Sequence, residues 1–127
     1  MAATCFKTCS CCGRSWQTRD AFLSDGELKV EGYTADFESL ERGLFFVTHR
    51  SRECGSTMAF EAQEFLDLYT GPRYPQRKAL SDECPRYCLD EKQLGRCTVL
   101  CECAFVREVL QVLMGRLDAA RANSPNP

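Results

Sequence analysis

The cysteines of this chain are gathered rather than scattered. Cys5, Cys9, Cys11 and Cys12 stand near the start, Cys54 stands alone, and Cys84, Cys88, Cys97, Cys101 and Cys103 fall within twenty residues. Ten thiols in 127 residues suggest either disulfide staples or metal ligands, and the redox compartment decides between them. The first twenty residues carry Lys7, Arg14 and Arg19 but no apolar run of the kind a secretory signal needs. The expectation is a cytoplasmic protein, where reduced thiols bind metal more readily than they pair. Trp16 to Phe46 is free of cysteine, as expected when distant ligand pairs are folded together round one ion.

A chain this short builds a modest core at best, and a bound ion would supplement it. Its hydrophobic fraction of 44% and charged fraction of 27% are those of a folded domain. A formal net charge of -2 provides no general attraction for phosphate backbones, so nucleic acid is not an expected partner. Arg73, Arg77 and Lys78, with Tyr74 between, form a local basic and aromatic patch that reads as a solvated linker. No apolar stretch approaches the roughly 20 residues of a membrane span. Phosphate-binding glycine loops, a G-x-S-x-G elbow and H-E-x-x-H are all lacking, and no enzymatic activity is expected.

Periodicity predicts an α+β fold. Thr18 to Leu23 reads as a short helical turn. Leu28 and Val30 alternate with Lys29 and Glu31 as a strand, ended or bulged at Gly32. Phe37 to Arg42 reads as a helical turn stopped by Gly43. Leu44 to Thr48 is the clearest strand, with Ser56 to Phe60 as its returning partner, which places His49 and Cys54 in the connection. Glu61 to Tyr69 is an amphipathic helix ended by Gly71-Pro72. Val106, Val109, Leu110, Leu113, Met114 and Leu117 mark a longer C-terminal helix. Residues 1–8 read as a loose lead-in, and residues 121–127 as a fraying tail. Trp16, Phe22, Tyr33, Phe37, Phe45 and Phe46 are the expected core. The divisions are 1–71, a linker at 72–83, and 84–127, packed as one domain.

Cys9-Ser10-Cys11-Cys12-Gly13 contains C-x2-C-G, a spacing that lets two thiolates of one tight turn face the same ion while the glycine takes a positive φ. Here the sequence resembles the knuckle of zinc ribbons and rubredoxin-like domains, and the whole chain resembles small cysteine-rich bacterial proteins of unknown function. The resemblance implies a second ligand pair on a later turn. His49 with Cys54-Gly55 is the candidate, with Ser51 where a second cysteine pair would begin. A Cys3His site of Cys9, Cys12, His49 and Cys54 is expected, with Cys5 or Cys11 as alternative fourth ligands.

Cys84, Cys88, Cys97, Cys101 and Cys103 offer five thiols where a tetrahedral site needs four. Cys97 and Cys101 could share a helical face. Cys103 falls on the stripe of the last helix, as a core residue or as a ligand. Zinc, as one or two ions, is the expected cofactor, with an iron–sulfur cluster at this second group as the alternative. The function these features imply is a structural zinc protein acting as an interaction or regulatory adaptor, or alternatively a redox sensor using the surplus thiols. The broad apolar face of the last helix suggests a protein partner or a homodimer.

Overall fold

In a computed structural model of the chain, the residues described are 6–9, 11–50, 54–75, 77–78, 81–82, 84, 86–95, 97 and 101–122. Cys5, Ser51 and the tail beyond Ala122 lie outside them. The fold is α+β, with two small sheets, a central helix and a C-terminal helix packed on one core.

The first sheet is a hairpin of β1 (Lys7–Thr8) and β2 (Ser15–Trp16), with Lys7 opposite Trp16. This corrects the reading of residues 6–8 as a loose lead-in. Two-residue strands have no periodicity to detect, and what holds them is tertiary: Phe6 stacks on Phe60 at 5.8 Å and tilts against Phe22 at 5.4 Å. Helix α1 (Arg19–Leu23) follows, its first turn capped by the Thr18 hydroxyl, which accepts from the Ala21 amide at 3.0 Å.

The second sheet has antiparallel order β3-β4-β5, from Leu28–Thr34, Leu44–His49 and Thr57–Glu61. Strand β3 does not end at Gly32. A bulge between Val30 and Gly32 lets it run on to Thr34, opposite Leu44. Strand β4 alternates in burial: Phe45, Val47 and His49 are buried while Leu44, Phe46 and Thr48 are half-buried. Phe46 therefore lies on the outer side of the core, and Phe37 is also only half-buried.

Between β3 and β4 the helical turn is a 3-10 turn at Leu40–Arg42. The central helix, Ala62–Leu68, is also 3-10 rather than α. Its inward residues explain the choice. Ala62, Phe65 and Leu68 are spaced by threes, which a 3-10 winding stacks on one side, and Ala62 and Phe65 are wholly buried.

Helix α2 (Ala104–Ala122) buries Val106, Val109, Leu110, Leu113 and Leu117 in the same core as Phe22, Phe45 and Phe65. The apolar stripe suggested as a dimer contact thus faces the chain's own interior. Arg73 and Arg77 reach the start of this helix and the residue two before it. Arg73 lies 3.8 Å over the Phe105 ring, and Arg77 pairs with Glu102 at 2.6 Å. No helix among the described residues is long and apolar enough to cross a membrane.

Candidate metal centre

The hairpin exists to turn the chain at Cys9 and Cys12. Its loop is closed by Cys9 N–H donating to the Arg14 carbonyl at 2.7 Å and Gly13 N–H donating to the Cys9 carbonyl at 2.8 Å. Gly13 has φ of 80°, a conformation that strains any residue with a Cβ. The turn drives Cys9 into the interior and leaves Cys12 at the surface. Across from it, β4 delivers His49 at its last residue and the chain returns through Cys54 into β5.

Four donor atoms meet there: the sulfurs of Cys9, Cys12 and Cys54 and a ring nitrogen of His49 all lie within 4.8 Å of one another. Cys9 Sγ is 3.6 Å from Cys54 Sγ, and Cys12 Sγ is 3.5 Å from His49 Nδ1. With Zn–S of about 2.3 Å and Zn–N of about 2.0–2.1 Å, a tetrahedron has S···S edges of about 3.8 Å and S···N edges of about 3.6 Å. Both separations fit. The residues expected from the sequence as a Cys3His set are thus assembled as a cluster able to hold a metal ion.

Cys9 and Cys54 are prepared for charge, whereas Cys12, despite the Arg14 amide, is pushed up by burial and by the neighbouring Cys9 and Cys54 thiols. Amide groups two residues further on point back at each sulfur, Cys11 to Cys9, Arg14 to Cys12 and Ser56 to Cys54. The Ser56 hydroxyl lies 3.2 Å from Cys9 Sγ and 3.1 Å from Cys54 Sγ. That hydroxyl is the main reason the Cys9 thiol is drawn down to about 5, against the opposing effect of burial and with help from the Cys12 and Cys11 amides. Cys54 is lowered for the same leading reason. Burial by itself would lower the His49 pKa, but the sulfurs of Cys54 and Cys9 outweigh it and raise it. A pocket that attracts a proton to this imidazole also attracts a cation, and the two compete.

A second layer was not foreseen. Asp25 and Glu27 both lie beside His49. Glu27 approaches the buried Nε2 at 3.5 Å, an ion-pair distance without a hydrogen bond, while Nδ1 faces the sulfurs. Asp25 accepts from Trp16 Nε1 at 2.9 Å, and Trp16 stands edge-on to the imidazole at 5.3 Å. The signal for these acids is the register that sets Leu28 opposite His49, which no local pattern reveals. Cys11 is exposed, with its thiol under the influence of Cys54.

The later thiols form a separate group. Cys84, Cys88, Cys97, Cys101 and Cys103 all line one cavity of about 10 Å³, with Lys78 and Tyr87. Cys88 Sγ is 3.6 Å from Cys103 Sγ, which is 3.3 Å from Cys101 Sγ. Among the described residues, donor sets with every atom within 4.8 Å of the others are Cys9, Cys12, His49 and Cys54, and Asp25, Glu27 and His49. Cys103 sits at the mouth of α2, buried against Cys88 rather than only against apolar side chains. Cys88 is held down at about 6, first by the Cys103 thiol and, against burial, also by the Arg107 guanidinium. Arg107 went unnoticed in the sequence, although it lies four residues after Cys103 and so shares its side of the helix.

No protein-family model, curated protein or solved structure matches the chain. Its functional reading therefore rests on its own residues.

Proposed function

We propose that the chain is a zinc-stabilised adaptor, in which one ion held by Cys9, Cys12, His49 and Cys54 locks the β1–β2 hairpin onto the three-stranded sheet and fixes a frame for a protein partner. The observation that carries this reading is the match of both donor separations, 3.6 Å and 3.5 Å, to the edges of a zinc tetrahedron. Four protein donors fill the coordination shell, which is the mark of a structural ion. A catalytic zinc keeps one position for water or substrate. Zinc would supply folding energy rather than chemistry, and Ser56, Glu27 and Trp16 would hold its ligands in place.

A redox-sensing role is the second reading, favoured by the exposed Cys11 beside Cys54. Two thiols there could yield two electrons and two protons to a peroxide, forming a disulfide and releasing the ion. Metal content and free thiols, measured before and after mild peroxide on anaerobically purified protein, separate the two. Zinc at one or more equivalents that stays bound supports the adaptor. Zinc release with a disulfide that dithiothreitol reverses supports the sensor. Protein that contains no zinc and folds identically with or without chelator removes both.

A further inference from the structure

The cavity at the N-terminal end of α2 holds more thiol than packing requires. Five cysteines line it, and its volume of about 10 Å³ is that of one water-sized sphere. Two of the sulfurs receive backbone amides. Arg86 N–H points at Cys84 Sγ at 3.3 Å and Lys78 N–H at Cys101 Sγ at 3.1 Å. The first contact uses the same two-residue return seen at Cys9, Cys12 and Cys54. It is made by a residue held at φ of 66°, a strained conformation for arginine that this turn maintains.

Beside these sulfurs lies a buried cation with no carboxylate partner among the described residues. Arg107 is wholly buried. Its Nη1 donates to the carbonyls of Gln93 and Gly95 at 2.7 and 3.0 Å, but Nε and Nη2 have no hydrogen-bond partner. The rings of Tyr33 and Tyr87 flank it at 5.3 and 5.6 Å, and Cys88 is the thiol it faces. A guanidinium cannot shed its proton, so its burial calls for negative charge nearby. Four thiolates around one divalent ion carry a net charge of two minus.

We propose that this cavity is a second metal site, which takes a single zinc ion on Cys84, Cys88, Cys101 and Cys103, with Arg107 as the buried counter-charge of the resulting dianion. The four thiols release their protons to solvent as the ion enters. The Cys88 to Cys103 separation of 3.6 Å is already close to the tetrahedral edge of about 3.8 Å. Cys101 and Cys103 stand at 3.3 Å, but no three of these sulfurs lie mutually within 4.8 Å, so entry of the ion must draw the remaining pairs in toward that edge. Cys97 lines the cavity as a fifth thiol outside the coordination shell. The site is independent of the first centre and stands whether or not that centre is loaded.

The test is native mass spectrometry of the full chain reconstituted with zinc, combined with alkylation of its thiols under native conditions. Two zinc ions are expected, with Cys84, Cys88, Cys101 and Cys103 protected and Cys97 modified. Cys97→Ala should keep both ions. The Cys9→Ser, Cys12→Ser variant should keep one, and cobalt in its place should show the spectrum of an all-sulfur site. Arg107→Leu should weaken the second equivalent by about 10–100-fold and leave the first unchanged, whereas a merely structural loss would lower both. A single zinc with all five later thiols alkylated would overturn the proposal even if the variants fail to fold. So would an iron–sulfur chromophore, loss of the second ion in Cys97→Ala, or unchanged affinity in Arg107→Leu.

Discussion

Cys12→Ser separates metal ligation from core packing, because Cys12 is the exposed member of the first cluster. Without an ion, replacing a surface thiol by a hydroxyl of nearly equal size should change stability by less than about 0.5 kcal/mol. With zinc bound, the same change removes one of four donors. Structural zinc contributes about 10–16 kcal/mol in small domains, so an even share per donor is about 2.5–4 kcal/mol. At about 1.4 kcal/mol per decade, affinity should fall roughly 10²- to 10³-fold.

The molecule carries its own reporter. Trp16 is its sole tryptophan, 1% exposed, on the hairpin the ion would anchor and edge-on to His49. Urea unfolding followed by Trp16 fluorescence should show a lower midpoint for Cys12→Ser than for wild type in zinc-saturated buffer, and equal midpoints in chelator. Equal midpoints in both buffers would refute the assignment, since they would mean that Cys12 holds nothing.

Three further outcomes follow from neighbouring contacts. Glu27→Gln should weaken zinc about 10-fold by loosening the orientation of His49, while the chelator-treated protein unfolds as wild type does; competition with a chromophoric chelator measures it. In metal-free protein, stability from the Cys9 thiolate should be complete above the ordinary thiol value of 9.0 and drain away as pH falls through about 5, because the unfolded chain binds the proton first; a urea midpoint that does not decline across that window contradicts the described hydrogen bonding. Gly26→Ala places a Cβ 2.9 Å from the Arg121 Cα, a backbone clash between the turn before β3 and the end of α2, and should cost about 1–3 kcal/mol in thermal or urea unfolding.

How much of this could be read from the sequence depended on whether the signal was local. Leu44 to Thr48 is aromatic, β-branched and largely apolar, and α2 repeats its apolar residues at three and four, so both elements were visible. The β1–β2 hairpin was not, because Lys7 and Thr8 become a strand only when Phe6 packs on Phe22 and Phe60. Cys9, Cys12 and Cys54 were legible through spacing, and His49 through its position at a strand end. Glu27 was not, since its role comes from the β3 to β4 register. Arg107 sits among Val106, Val109 and Leu110 and reads as a polar interruption. Its burial is the work of residues 93–95, whose carbonyls receive it, and helical periodicity says nothing of a loop that folds over.

The two thiol groups occupy opposite ends of one structural unit. Strand β3 begins at Leu28, paired with His49 of the first cluster, and reaches Tyr33, whose ring lies against Arg107 of the second. At about 3.3 Å per residue, those five steps span roughly 16 Å. Helix α2 makes the return journey. Cys103 and Arg107 are at its start, and Arg121 near its end donates to the Leu28 carbonyl at 2.8 Å. From 107 to 121 at about 1.5 Å per residue is roughly 21 Å. Strand and helix therefore share both anchor points. A chain loaded at the first cluster alone should protect the amides of β3 near Leu28 from hydrogen exchange more than those near Tyr33. Loading the second group should remove that gradient, and a gradient that persists would show that the two ends are not coupled through β3.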